Sequence, residues 1–149
     1  DALYGLSKFV AENLIDVNFK SEGIRCIHLR IGQIYGDGMS HNRIMTVLKK
    51  ELQEDSKMTL FGCGERIIPF VNISFLINTI LKFIKHETKS GIYNLVSENS
   101  SLLDVAHRIA KEVGIPNPDI ILVPEGKISK FQVTSKKLNQ LFESLNLKD

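Results

Sequence analysis

The sequence of 149 residues predicts an α/β fold in which helices and strands alternate through most of the chain. Three observations lead to this class. Apolar residues recur at helical spacing in the first segment, a strand with apolar residues on both faces follows, and glycine or serine marks the later junctions. The chain contains no internal repeat and no low-complexity linker.

The first helix is expected to run from Asp1, as its N-cap, to about Phe19, and Gly23 supplies the left-handed residue that often follows a helix. Residues 24–34 are expected to form one strand covered on both faces, because apolar residues occupy both sides of its alternation. The glycines of Gly36-Asp37-Gly38 then predict a loop.

Caps and glycine turns delimit the later elements. Ser74 is expected to cap an apolar helix, Ser100 or Ser101 the next, and Ser135 the last. The expected helices cover Asn42 to Gln53, Phe75 to Lys85, the residues from the cap at Ser100 or Ser101 to Val113, and Lys136 to Ser144. The expected extended segments are Met58 to Phe61, Ile67 to Ile73, Gly91 to Val96 and Asp119 to Val123.

Composition and charge exclude several classes of protein. The chain is 43% hydrophobic and 24% charged, which is typical of a globular domain. Nineteen Lys and Arg against seventeen Asp and Glu are scattered, whereas a nucleic-acid-binding protein concentrates its basic residues. The segment Phe70 to Ile84 is interrupted by polar residues, so a buried helix is expected there and not a membrane span.

The two cysteines, Cys26 and Cys63, are too few and too far apart for a disulfide framework, which favours a cytoplasmic location. Cys26 shares a strand face with His28, but no CxxC or HxxxH spacing accompanies them. No metal site is therefore expected.

Tyr4 and Lys8 form the first candidate site. They are four residues apart on the predicted helix, so their side chains lie on one face. A nearby cation favours the phenolate, which allows Tyr4 to act as a general acid or base with Lys8 tuning it. The same spacing also occurs on many ordinary amphipathic helices, so it does not decide the role by itself.

Two glycine-containing loops follow predicted strands. Gly32 allows a close approach of the backbone to a ligand, and Gln33 offers both a donor and an acceptor at the carboxyl end of a strand. A strand followed by a tight turn is the simpler interpretation. The segment Leu60 to Arg66 fits either a hairpin or a pocket wall.

In combination, these motifs resemble the extended short-chain dehydrogenase/reductase family, the NAD-dependent epimerases and dehydratases that act mostly on nucleotide sugars. The YxxxK helix at Tyr4 to Lys8, the LR…YG.G strand and loop at residues 29–38, the YN pair Tyr93-Asn94 and the SK pair Ser135-Lys136 carry the resemblance. It extends over nearly the whole chain.

The resemblance implies roles for individual residues. Tyr4 would exchange a proton with a substrate hydroxyl while hydride moves to or from nicotinamide, and Lys8 would bind the nicotinamide ribose and lower the pKa of the tyrosine. Ile31 would lie where the strand end passes the nicotinamide ring. The substrate-binding residues implied are Gln33, Phe61 and Arg66.

The chain departs from the family pattern near Arg66. Nucleotide-sugar members commonly carry an R-D-F pattern, where this chain has Ile68-Pro69-Phe70. The arginine that clamps a substrate phosphate through two hydrogen bonds is absent from that position. Arg66, two residues earlier, is the candidate replacement.

The resemblance also implies that the cofactor cradle, a GxxGxxG turn with an acidic residue and a Ser or Thr, would precede Asp1. We therefore expect a C-terminal half of a protein that uses NAD or NADP, with weak or no cofactor binding and no activity by this chain alone. Residues 1–38 would be a remnant of the dinucleotide-binding domain and residues 39–149 mainly a substrate-binding α/β domain. The alternative is a non-catalytic substrate-binding or assembly module.

The expected partners are a nucleotide-sugar-like small molecule and other copies of the chain, with no nucleic acid and no membrane. The first helix and the strand at residues 24–34 would pack on a sheet whose other strands are not in this chain. An open strand edge and an uncovered apolar surface promote association. Self-association through that edge into a homo-oligomer, or a rearranged first helix, is therefore expected.

Overall fold

The computed structural model describes residues 2–126 and 128–147 and confirms the α/β class. The predicted cap Asp1 lies outside the described residues. Two short 3-10 turns, Lys20–Glu22 and Gly62–Gly64, accompany the regular elements. The helices and strands in chain order are α1 Ala2–Phe19, β1 Ile27–Ile31, β2 Gln33–Tyr35, α2 Ile44–Asp55, β3 Lys57–Phe61, β4 Ile67–Asn72, α3 Ile73–Lys85, β5 Gly91–Leu95, β6 Glu98–Ser101, α4 Leu102–Val113, β7 Asp119–Val123 and α5 Lys136–Ser144.

The strands form three small sheets. β1 pairs in parallel with β5, and β3 pairs in parallel with β7. β4 lies between β2, its parallel neighbour, and β6, its antiparallel neighbour. At the junction of β1 and β2, the chain therefore passes from the sheet of β1 and β5 to the sheet of β2, β4 and β6. β1 pairs with β5 from the later part of the chain, and the division at residue 38 stays a prediction.

The single strand predicted for residues 24–34 is wrong, because two strands with Gly32 between them occupy this segment. The Gly32 N–H donates to the carbonyl of Leu95 at 3.0 Å, which ends the pairing of β1 with β5. An added Cβ at Gly32 would lie 2.6 Å from the carbonyl oxygen of Pro69 in β4. The absence of a side chain permits this close approach of two backbones.

The predicted cap at Ser74 is also wrong, since α3 begins two residues earlier than expected. The side chain of Asn72 accepts the Ser74 N–H at 2.9 Å, so Asn72 is the N-cap and the helix starts at Ile73. Asparagine satisfies the free amides of a helix start as well as serine does. α2 similarly covers Ile44–Asp55, displaced by two residues from the expected helix.

Ser101 caps α4 as expected, with Asp104 completing a reciprocal capping box. Ser135 precedes α5 without capping it. Its buried hydroxyl accepts the Val96 N–H at 2.8 Å and donates to the Val96 carbonyl at 2.9 Å. It therefore ties the start of α5 to the end of β5. Strand β6 was not anticipated, because its sequence Glu98–Ser101 contains no apolar residue.

Two groups of buried side chains hold these elements together. One joins α2 and α4 to β3 and β4, and the other joins α3 and α5 to β5. None of the helices within residues 2–126 and 128–147 is long and apolar enough to cross a membrane. The largest fully buried residues are Phe70, Leu48, Leu52, Met58, Leu60, Leu95 and Leu138.

Candidate functional site

A groove of about 780 Å³ runs between α1 and β1 and reaches the carboxyl end of β1. We call it the first groove. Tyr4 and Lys8 line it from the helix, and Ile31 and Gly32 line it from the strand end. The carboxyl ends of parallel strands are the usual position of ligands in open α/β sheets, so this edge is the candidate site.

A second groove of about 480 Å³ continues from the first and shares Tyr4, Ile31 and Gly32 with it. Gln33, half-buried, lines its wall, and the glycine loop at residues 36–38 forms its rim. Arg43, which precedes α2, adds a positive charge. Polar hydrogen-bonding groups therefore lie next to the Tyr4 ring.

The predicted pair is arranged as its spacing implies. The Lys8 Nζ lies 5.3 Å from the centroid of the Tyr4 ring, a cation–π distance. The Tyr4 side chain is 70% exposed, and the Ser7 hydroxyl donates to the Tyr4 carbonyl at 2.8 Å. The phenol is accessible from both grooves.

The structure brings Tyr4, Lys8, Ile31 and Gln33 together and leaves Phe61 and Arg66 outside both grooves. Phe61 ends β3 with its Cβ beside Gly126, and it is 59% exposed. Arg66 is also exposed, and its carbonyl accepts an N–H from the start of α4. A substrate role for these two residues stays a prediction.

Three groove residues were given no role from the sequence. Arg43 could have been noticed as a lone basic residue close to a glycine loop. Asn94 belongs to the YN pair on β5, and it lines the first groove opposite α1. Glu12 lies one helical turn beyond Lys8, in the same groove, and that spacing was its only signal.

Ion pairs cross the first groove from α1 to β1. Both Glu12 carboxylate oxygens accept hydrogen bonds from Arg30, at 2.9 and 2.7 Å. These bonds lower the pKa of Glu12 and raise that of Arg30. Asp16 accepts hydrogen bonds from Lys20 and from the His28 ring, which together lower its pKa. Both carboxylates are therefore held ionised at neutral pH.

A YxxxK helix beside the carboxyl end of a parallel strand is consistent with a Rossmann-like α/β protein. The sequence profile of the NAD dependent epimerase/dehydratase family matches residues 1–95. The chain belongs to this family.

One curated relative is the ADP-L-glycero-D-manno-heptose-6-epimerase of Pseudomonas paraeruginosa, 27% identical over 105 residues. The match covers 64% of this chain and 32% of that enzyme. The chain thus spans about a third of the length of this relative.

Solved structures share the fold. A UDP-glucuronic acid 4-epimerase from Bacillus cereus, in complex with UDP-glucuronic acid and NAD, superposes with a TM-score of 0.77 at 23% identity. The superposition covers 94% of this chain and 46% of that chain. RMD from Pseudomonas aeruginosa, complexed with NADPH, gives a TM-score of 0.78 at 14% identity over 93% of this chain and 48% of that one.

Proposed function

We propose that the chain supplies the proton-transfer pair and part of the substrate surface of an NAD(P)-dependent epimerase or dehydratase that acts on a nucleotide sugar. The observation that carries this proposal is the convergence of Tyr4, Lys8, Ile31 and Gln33 on two continuous grooves at one strand end. Relatives whose names include nucleotide-activated sugars support the substrate class.

Tyr4 is the proton carrier in this proposal. In its deprotonated form, the exposed Tyr4 oxygen takes the proton of a substrate hydroxyl as the carbon that bears this hydroxyl loses hydride, and it returns the proton in the reverse direction. Lys8, whose ammonium lies 5.3 Å from the centroid of the Tyr4 ring, is the proposed partner of this tyrosine. When bound, NAD or NADP supplies the hydride acceptor or donor.

The residues present fit only the nicotinamide end of such a cofactor. Ile31 provides an apolar wall at the end of β1, in the same groove as Tyr4 and Lys8. The 149 residues contain no GxxGxxG run, which would place a helix N-terminus at the pyrophosphate. We therefore propose that this chain alone binds the cofactor weakly and does not catalyse the reaction.

Gln33 and Arg43 are the proposed contacts for the polar part of the substrate. The Gln33 amide can both donate to and accept from a sugar, and the Arg43 guanidinium can bind a diphosphate. Phe61 and Arg66 would engage a ligand only if it extended beyond the second groove. The substrate contacts proposed first are therefore those next to Tyr4.

Chemical-shift mapping of the isotope-labelled chain with UDP-glucose, UDP-glucuronic acid and dTDP-glucose tests the substrate surface. We expect shifts at the amides of Ile31 and Gln33, a weaker response in Arg43→Gln, and an unchanged response in the surface control Lys50→Gln. Shifts confined to residues outside both grooves would contradict the proposal.

Calorimetric titration with NADH and NADPH tests the cofactor proposal. No saturable heat is expected, and low-micromolar affinity would contradict it. Hydride transfer is then assayed in a protein that joins a GxxGxxG domain to this chain. There, Tyr4→Phe is expected to lower kcat about a hundredfold or more, as removal of a general acid–base does.

A non-catalytic assembly module is the second candidate. The apolar side chains of α1 are exposed, as expected for a helix that packs against another protein surface. A GxxGxxG segment encoded upstream of Asp1 in the same reading frame would favour the enzyme. A cytoplasmic location is proposed for both, supported by free thiols at Cys26 and Cys63.

A further inference from the structure

The face of α1 that is turned toward the protein is acidic. Every described residue from Ala2 to Phe19 is exposed except Glu12 and Asp16, which are half-buried. The large apolar residues of the helix are exposed by 41% or more, from Ile15 to Leu3 at 82%. Hydrophobic burial therefore does not fix this helix on β1.

The two acids meet two basic groups on β1 in matched register. Glu12 binds Arg30 through both carboxylate oxygens, and Asp16 binds the buried ring of His28 at 2.7 Å. Four residues of helix span about 6 Å and two residues of strand about 6.6 Å, so the acids and their partners have nearly equal spacing. The order is antiparallel, because later helix residues meet earlier strand residues.

Extending this register by one helical turn leads to the candidate site. Lys8 precedes Glu12 by four residues, and Gly32 follows Arg30 by two. The register thus pairs Lys8 with Gly32, the residue at which the two grooves meet, and it brings Tyr4 past the strand end toward β2. Both Tyr4 and Lys8 line the first groove together with Gly32.

We propose that Glu12 and Asp16 are positioning residues that set the axial position of Tyr4 and Lys8 through Arg30 and His28. This proposal rests on the proposed function only for the catalytic role of Tyr4 and Lys8. The register of α1 on β1 does not depend on that role. A bidentate ion pair is directional, whereas apolar contact is not. A slip of α1 by one turn would move the Tyr4 hydroxyl by about 5.4 Å.

The test uses the whole chain and three variants. Glu12→Gln and Glu12→Arg break the pair with Arg30, and Glu12→Arg combined with Arg30→Glu restores it with reversed charge. Glu54→Gln is the matched control, because Glu54 forms a pair with Lys50 at 3.8 Å on the exposed surface of α2. Amide hydrogen exchange in α1 and the resonances of the Tyr4 ring and the Gly32 amide are recorded for each.

We expect Glu12→Gln to lower protection of the α1 amides about threefold to tenfold and to shift the Tyr4 and Gly32 resonances. Glu12→Arg should do the same or more, the reversed pair should restore both readouts, and Glu54→Gln should leave both unchanged. Unchanged Tyr4 and Gly32 resonances in Glu12→Gln, or no recovery in the reversed pair, would overturn the proposal.

Recovery by charge reversal distinguishes positioning from a general effect of Glu12 on helix stability. If Glu12 acted only on helix stability, the reversed pair would not restore the two readouts. The readouts need neither cofactor nor sugar. Absence of nucleotide-sugar binding by the unmodified chain would therefore count against the proposed function and leave the register result intact.

Discussion

Replacing Gly32 by alanine tests the geometry of the strand end directly. The new Cβ would lie 2.6 Å from the carbonyl oxygen and 3.1 Å from the carbonyl carbon of Pro69. It would also meet a methyl group of Val96 at 3.3 Å. Gly32 does not occupy the left-handed region, so the penalty in Gly32→Ala is one of contact and not of backbone conformation.

The magnitude follows from which atoms must move. Ordinary contact begins at 3.4 Å, so the Pro69 carbonyl oxygen and the new methyl must separate by about 0.8 Å. Pro69 belongs to β4 and Gly32 is held between β1 and β2, so neither atom can rotate away. Overpacking costs about 1–3 kcal/mol, whereas the smaller entropy of the unfolded alanine chain offsets about 0.4–1 kcal/mol. The net loss expected in the free energy of unfolding is therefore about 1–2 kcal/mol.

Equilibrium unfolding in urea measures this loss, with Gly5→Ala as the control. Gly5 lies in α1, and a Cβ added there meets nothing within 4 Å. Helix propensity favours alanine by about 1 kcal/mol at such a position, so Gly5→Ala should not destabilise the chain. A loss below about 0.5 kcal/mol in Gly32→Ala would refute the close approach of Gly32 and Pro69 at the site.

Three further outcomes are expected. Asn72→Ala should cost about 1 kcal/mol in urea unfolding, and Ser74→Ala clearly less, because Asn72 caps α3. Ser135→Ala should cost about 1–3 kcal/mol, because a backbone N–H at the end of β5 loses its buried partner. The Arg30 hydrogen bonds hold the pKa of folded Glu12 below the ordinary 4.5. Their stabilisation is therefore complete at neutral pH and is lost as the pH falls below that value; urea midpoints between pH 7 and pH 3 should fall less steeply in Glu12→Gln.

Local sequence signals predicted most elements, because helix periodicity and glycine turns act over a few residues. The break at Gly32 was not predictable in this way. The residues on either side of it form one uninterrupted alternation, and the constraint comes from Pro69, 37 positions later in the chain. Likewise, Ser135 has the sequence of a cap, but Val96 takes its hydroxyl through tertiary contact.

In the candidate site, too, some features follow from local sequence and others depend on tertiary contacts. Tyr4 and Lys8 share a helix face by spacing alone, and Ile31 and Gln33 lie on either side of Gly32, so each pair is close together in the sequence itself. Whether the helix pair and the strand pair face each other across a groove depends on how α1 lies on β1. That placement rests on Glu12 and Asp16, whose partners are 18 and 12 residues away. The sequence motifs assign no role to Glu12 or Asp16.

The outward face of α1 leads to the last prediction, which is self-association. On the inward face, Glu12 and Asp16 are hydrogen-bonded to β1, and the apolar residues of the helix are exposed, with Leu6 and Leu14 each 57% exposed. β1 also has a neighbour, β5, on only one edge within the described residues. Exposed apolar patches and open strand edges both favour association.

Light scattering and sedimentation should therefore give a mass well above 16.8 kDa at high concentration. Leu6→Lys combined with Leu14→Lys should lower that mass if the helix face mediates association, because two charges would have to be desolvated in the contact. Ile84→Lys, at a 69% exposed position of α3, is the control and should leave the mass unchanged. If the double variant keeps the mass of the unmodified chain, the open edge of β1 becomes the interface to test. If the unmodified chain is a monomer, neither the apolar face of α1 nor the open edge of β1 mediates association, and the prediction is wrong.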